Sequence, residues 1–537
     1  MVSYLHAMPG GDDISDASES RQPVRWAESE LPWEPQPLPS QPEPQPPPRL
    51  PPVNRNQLLW HAVDVEKRVG PDHWVRAIWE LVGQLDLKGY RAEVGSVEGV
   101  AGRPAYDPRL LISLWIYAYS QKVGGAREVA RRGEYDPAFQ WLTGMQVVNY
   151  HTLADFRLQH PKALDALFAP LLGVLSSEGL VSLEQGVHEG TKVQASASGK
   201  SFHGEKTLRE HLEAGRERVG EMGDAGEEES SRGAAGRERA ARQKVERLEL
   251  ALKEMEKVQA APQAKAEPSQ GRVSETDPEA HLMKQSNGGC TPSHNVQIST
   301  DTAHSIMVGA SLTQAANDQH EMVAAITEVE RQRGQQPEQF IVDQGYRTRE
   351  NMLAAAEMGV DLMGSGMEPN AQAGAGRLEK RGVDPAFYPD KFPYHAATNT
   401  CTGPAGKQLS YETTKRDRVG VERKVYKARA KDCRHCEFRQ RCQPGKHGRR
   451  ILGSENVPRV AEYLAKRQTE AAQALYRWRG PVAEFSNLWL KAKLGLWQFS
   501  GRDLPKVRGE VLWACLTYNI QQWFRLGWKV RLNPAQA

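Results

Sequence analysis

The chain has 537 residues, 39% apolar and 26% charged, enough for about three or four domains at ~150 residues each. Its 70 Lys+Arg and 67 Asp+Glu leave a net +3, a balance that on its face argues against a nucleic-acid partner. Residues 405–537 alone, however, hold 28 Lys+Arg against 11 Asp+Glu, a local +17, so the other 404 residues sum to −14 and a polyanionic partner is plausible again. The longest apolar stretches, 110–119 and 511–518, are about half the ~20 residues of a membrane helix, so no span is expected. Six cysteines, four of them clustered, do not make a disulfide scaffold, and the first residues do not read as a secretory signal; a reduced, cytoplasmic protein is expected.

Residues 1–57 read as a disordered arm, acidic and then proline-rich, with 11 of the 34 prolines between positions 32 and 52. From 58 to 180 apolar residues recur at helical spacing, as in Trp74, Ala77, Ile78, Leu81, Val82 and Leu85, and an all-α N-terminal domain is expected. Thr152, with Asp155 three residues on, reads as the cap of one of its helices. Residues 187–197 read as a strand, and 203–262 as a charged helical insertion of two antiparallel helices. Two strands follow at 295–299 and 305–313, then a helix at 319–332, a strand at 339–343, a helix at 349–358 and a strand at 360–363. This is the order of an α/β fold around a mixed sheet, expected over 183–364 and completed by 476–530, with a basic insertion at 365–475.

Three acids stand out: Glu189 in the first strand, Asp343 at the end of the fourth, and Glu484 far downstream. Gly480-Pro481 reads as a helix start, which would put Glu484 in the opening turns. Three carboxylates from two strands and a helix can hold two divalent cations about 3.5–4 Å apart, which activate a water or a 3′-hydroxyl in phosphodiester chemistry. Oxygen ligands select Mg²⁺ or Mn²⁺. Singly, each acid has a plainer reading, Asp343 as a turn cap and Glu484 as a helix-dipole partner. Cys433-Arg-His-Cys436 and Cys442, with Cys401 upstream, can form a four-thiolate structural zinc site in a small β-rich module flanked by lysines and arginines. Cys290 and Cys515 read as lone packing residues. Trp478, Trp489, Trp497, Trp513, Trp523 and Trp528 read mostly as core, one of them able to stack on a flipped base. Arg502, Lys506 and Arg508 read as phosphate-backbone contacts.

These strings resemble the DDE-type transposases of bacterial insertion sequences, in the branch whose third acid sits in a Tyr-x2-Arg, Glu-x6-Lys signature: here Tyr476 to Arg479, Glu484 and Lys491. Thr276-Asp-Pro-Glu-Ala280, His294-Asn-Val-Gln297, Val342-Asp-Gln-Gly-Tyr346, Gly102-Arg-Pro-Ala-Tyr-Asp-Pro108 and Leu153-Ala-Asp-Phe-Arg157 are similar to further family strings, and the resemblance covers roughly residues 58–525. It implies a ribonuclease-H-like core, with Glu189, Asp343 and Glu484 as metal ligands and Tyr476, Arg479, Lys491 and Lys192 on DNA. It implies a transposase that binds terminal inverted repeats, cleaves and joins DNA to a target, and acts as a homo-oligomer at the nucleoid. Two departures stand out. Four residues separate Arg479 from Glu484 where the family usually has three, and Glu189-Gly-Thr-Lys192 replaces the usual Asp-Gly-Thr-Lys. The added methylene moves the carboxylate by over an ångström (~1 Å), against a tolerance of roughly 0.5 Å at metal sites. The alternatives are a weakened copy that binds DNA as a repressor and, more remotely, a nuclease acting on RNA.

Overall fold

The computed structural model describes residues 62–94, 96, 104–224, 232–260, 271–285, 287–364, 378–395, 397–416, 422–445, 447–453, 463, 466–467 and 469–532. The expected N-terminal arm and Gly102-Arg103 lie outside them.

Seven helices open the described chain: α1 (Trp74–Gln84), α2 (Lys88–Arg91), α3 (Pro108–Ser120), α4 (Ala126–Arg132), α5 (Pro137–Thr143), α6 (Tyr150–Gln159) and α7 (Pro161–Ser177). Aspartates start two of them. Asp107 accepts from Arg109 N and Asp136 from Ala138 N, each followed by a proline whose missing N–H costs nothing at the first helical position. The cap of α6 is Asn149, accepting from His151 N at 2.8 Å, so Thr152 lies inside the helix and not at its start. Asparagine reaches the second amide as readily as threonine, and the first cap in the chain wins.

The chain then enters β1 (Gln185–Gln194), β2 (Phe202–His203), α8 (Glu205–Asp224), α9 (Arg232–Ala260), β3 (Val273–Ser274), β4 (His281–Lys284), β5 (Cys290–Asp301), β6 (Met307–Thr313), α10 (Met322–Arg333), β7 (Gln339–Val342), α11 (Arg349–Met358) and β8 (Asp361–Gly364). The strands run β4-β5-β1-β7-β8 across the sheet, with β6 also on β5. β1 is antiparallel to β5 and parallel to β7, and β7 is parallel to β8. This is the mixed α/β sheet that the order of elements predicts.

A second, antiparallel sheet is built from β9 (Tyr394–His395), β10 (Thr400–Thr402), β11 (Gln408–Arg416), β12 (Glu422–Ala428) and β13 (Arg450–Gly453), with α12 (Ala430–Arg434) and α13 (Arg439–Cys442) between the last two. The chain closes through α14 (Glu470–Leu488), a π turn at Trp489–Lys493, and α15 (Leu504–Trp523).

Period-two alternation sorts the sheet's faces. Phe340, Val342 and Leu362 meet Met322, Ile326, Met352 and Ala355 from α10 and α11. Val187, Ile341 and Met363 on the opposite face meet Ala472, Val482 and Ala483 of α14. α15 is buried almost all round, its Leu512, Trp513 and Trp523 sharing one core with Trp115 of α3, Leu171 of α7 and Val308 of β6. The helical segment and the sheet are thereby fastened to one another.

One expectation is overturned here. α14 does not start at Gly480-Pro481; Thr469 caps it, accepting from Ala472 N at 3.2 Å, and Pro481 lies inside the helix. Buried Ala472, Val482, Ala483 and Ser486 hold both halves on one face, which offsets the ladder bond the proline lacks. Glu484 therefore sits mid-helix, where a dipole role for it lapses.

Candidate active site

Successive residues of β1 face opposite sides of the sheet, so Val187 and Glu189 look toward α14 while His188 and Gly190 look away. The parallel register pairs His188 with Val342, so the next rung sets Glu189 beside Asp343. Asp343 ends β7 and accepts from Gly345 N at 2.6 Å, so it is a turn cap as well as a carboxylate at the strand end. Glu484 is exposed on α14, next to the Val482 and Ala483 that seat this helix on β1 and β7.

The three acids, distant in sequence, share one electrostatic neighbourhood. Burial pushes the Glu189 carboxyl above the usual range; Arg479 opposes this, and Asp343 and Glu484 add to it. Among the described residues, the three are not drawn as a set within 4.8 Å of one another. A site for two ions spans a wider set than one ion does, and the donors are hard oxygens, so the residues fit Mg²⁺ or Mn²⁺.

Cations close the same edge. Arg479 Nη1 stands 3.2 Å from Glu189 Oε2, with the two side chains 15% and 23% exposed, and lies over the Tyr476 ring at 5.7 Å. Burial alone would lower Arg479, but Glu189, Tyr476 and Asp343 outweigh it and hold it above the usual arginine range. Lys491, on the π turn, donates to the Lys192 carbonyl at 3.0 Å and sits 5.7 Å from the Trp497 ring. Burial holds its ammonium below the usual lysine range. Lys192 itself reaches across to the Lys284 carbonyl at 2.7 Å. Tyr476, Arg479, Lys491 and Lys192 thus border the strand and helix that carry Glu189 and Glu484.

Beneath the acids lies a network that the sequence strings conceal. A Cβ on Gly190 would stand 2.4 Å from Asp318 Oδ1 and 2.5 Å from Gln297 Nε2, so the glycine after the first acid is required by space. Gln297 Oε1 is bonded to the Tyr346 hydroxyl and lies 2.9 Å from His188 Nε2, while its amide donates to Asp318 Oδ1 at 2.7 Å. Tyr346 thereby ties the loop after Asp343 to β5. Buried His188 also meets Ser299 Oγ at 2.9 Å, and burial pushes it down to about 4, keeping the ring neutral. The two quoted strings meet as well: Asp277 faces His294 at 3.4 Å, and Glu279 accepts from Leu504 N at the start of α15. His188, Gln297 and Asp318 are the positioning residues that sequence reading did not single out.

Two family models match the chain. Residues 63–159 match a transposase domain of the DUF772 type, and residues 400–524 match the transposase DDE domain. Both matches are to transposase models, and together they support an insertion-sequence DDE transposase. The family implies a DNA substrate and an activity in transposition. No curated protein matches the chain.

The six cysteines are unbridged thiols. Cys433, Cys436 and Cys442 line one apolar cavity with Phe387, Phe392 and Arg449, and Cys433 and Cys442 pack against a small core that includes buried Cys401. Arg449 N lies 3.3 Å from Cys433 Sγ. Among the described residues, no three of these sulfurs lie within 4.8 Å of one another. Cys515 is buried as expected, but Cys290 is exposed at the start of β5 and packs nothing. Trp513, Trp523 and Trp528 are core, while Trp478 and Trp497 are 67% and 58% exposed. The three distal cations are engaged within the chain: Arg502 with the Ser196 carbonyl, Lys506 with Asp503, and Arg508 with Asp165. No helix among the described residues is long and apolar enough to cross a membrane.

Proposed function

We propose that this transposase binds the terminal inverted repeats of its element, cleaves at the ends, and joins the freed 3′-hydroxyl to target DNA, with a ribonuclease-H-like core of the Tyr-Arg-Glu-Lys branch. Glu189, Asp343 and Glu484 would hold two Mg²⁺ or Mn²⁺ ions. The observation that carries this reading is the shared field of three carboxylates distant in sequence, on two adjacent parallel strands and the helix packed over them.

The ions would supply Lewis acidity at the scissile phosphate and an activated oxygen nucleophile. The chain's own residues do the rest. β1 and β7 carry two carboxylates at neighbouring rungs, and α14 carries the third within electrostatic range of Glu189. Arg479 pairs with Glu189 and would offer its guanidinium to a DNA phosphate at the same edge. Lys491 and Lys192 offer further phosphate contacts beside the acids. The cysteine module would add a structural Zn²⁺ site if its sulfurs close, and assembly as a homo-oligomer on paired ends is part of the reading.

A labelled terminal-repeat duplex tests it. The parent should nick and then join the strand with Mg²⁺ or Mn²⁺ and be silent with chelator. Should Glu189→Asp cut where the parent is inert, the chain is a weakened, DNA-binding copy. Should both be inert while repeat binding persists, it acts as a non-catalytic binder.

A further inference from the structure

The helical insertion is rooted at three short elements. β2 pairs with β3 (Phe202↔Ser274, His203↔Val273), and Leu208, Leu212, Leu248, Ala251, Met255 and Val273 form a small core of their own above this root. At the root stand His203 on β2, His211 two turns into α8, and Glu275 immediately after β3. One ligand atom from each lies within 4.8 Å of the other two. His211 Nδ1 is 2.8 Å from Glu275 Oε2, His203 Nε2 is 4.0 Å from Glu275 Oε1, and the two rings cross at 70° with centroids 5.3 Å apart.

A plain hydrogen bond accounts for His211 with Glu275. It gives no reason for His203 to aim its Nε2 at the other carboxylate oxygen from a second element. Donors bound tetrahedrally at ~2.0–2.2 Å stand roughly 3.3 Å apart. The 2.8 Å gap to Oε2 and the 4.0 Å gap to Oε1 lie on either side of that value, and one ligand atom from each residue falls within 4.8 Å of the others. With side chains 26–39% exposed, the site is open to exchange with solvent.

We propose that His203, His211 and Glu275 bind a divalent transition-metal ion, Zn²⁺ by the chemistry of its donors, which clips the two ends of the helical insertion together. Two imidazoles and a carboxylate suit Zn²⁺ and leave a fourth position for water. The site is separate from Glu189, Asp343 and Glu484 and from the cysteines, and its occupancy does not depend on the cleavage reading. An ion held only by the folded form stabilises the root of the insertion by mass action.

The full chain, stripped with chelator and titrated with Co²⁺ as an optical stand-in, tests the site. The parent should take up one ion at this site, seen as weak visible absorption separate from any thiolate charge-transfer band of the cysteines, and excess Mg²⁺ should not displace it. His211→Gln and Glu275→Gln should each weaken that uptake by at least ~10-fold, the scale of losing even a supporting group at a metal site. Any thiolate band from the cysteines should be unchanged. His203→Gln, at a part-exposed strand position, serves as a third variant if either of the others misfolds. Uptake equal in the parent and the folded variants, or uptake accounted for wholly by a thiolate band, overturns the proposal.

Discussion

The two faces of β1 divide the labour of the proposed catalytic region. One presents Glu189 to Arg479, with Asp343 and Glu484 in range, and leaves polar groups partly exposed beneath a single helix. The other buries His188 and seats Gly190 against Gln297 and Asp318, its bonds closed within the protein. The exposed face keeps its charges free to exchange partners, and the buried face has no such freedom. Substitutions on the first should therefore cost activity, and those on the second should cost stability.

The largest effect expected on the working face is from Glu484→Ala. This exposed side chain makes no core contact, so end cleavage should fall by roughly 10³-fold, equivalent to ~4 kcal/mol, with little change in Tm. A rate within a few-fold of the parent would remove Glu484 from the site.

On the bracing face, His188 sets a pH dependence. Its pKa is about 4 in the folded chain against 6.5 ordinarily, so the unfolded state binds a proton that the folded state refuses. The stability it contributes is complete above pH 6.5 and declines as pH falls toward 4, by as much as ~3 kcal/mol at 1.36 kcal/mol per unit. Denaturant titrations at several pH values should show that slope in the parent and a flatter one in His188→Asn. Equal slopes would mean that His188 titrates normally.

Gly190→Ala should destabilise by about 1–3 kcal/mol, because Asp318 and Gln297 must give way to a new Cβ. An unchanged Tm would show that this packing is looser than the 2.4 Å approach implies. The smallest effect is expected for Tyr346→Phe, which deletes one bond to Gln297 and should cost about 1 kcal/mol. A cost near that of Gly190→Ala would mean that Tyr346 holds Asp343 in place as well.

Much of this division was legible in the sequence. The chain order of β1, β5, β6, β7 and β8, the helix Arg349–Met358, and the placement of Glu189 within a strand and of Asp343 at the end of another follow from periodicity and turn residues, which act locally. The start of α14 was not legible. Gly480-Pro481 is a strong local stop, and only the tertiary contacts of Val482 and Ala483 with Val187 and Ile341 carry the helix through it. The bracing network was hidden for a related reason: Gln297 and Tyr346 end two separate strings, Asp318 lies in neither, and the three meet only in the folded sheet. The cluster of His203, His211 and Glu275 is likewise brought together by the closure of the long insertion between β2 and β3.

The account turns on Asp343, the residue at the junction of the two faces. Its replacement by alanine, followed by parallel measurement of Mg²⁺-dependent end cleavage and thermal unfolding on one preparation, tests the account most directly. The prediction is a cleavage rate lowered by roughly 10³-fold with a Tm within about 4–8 °C of the parent, the shift that ~1 kcal/mol produces in a small domain and an upper bound for a longer chain. Cleavage that persists in a folded Asp343→Ala protein would contradict the assignment of this edge as the active site.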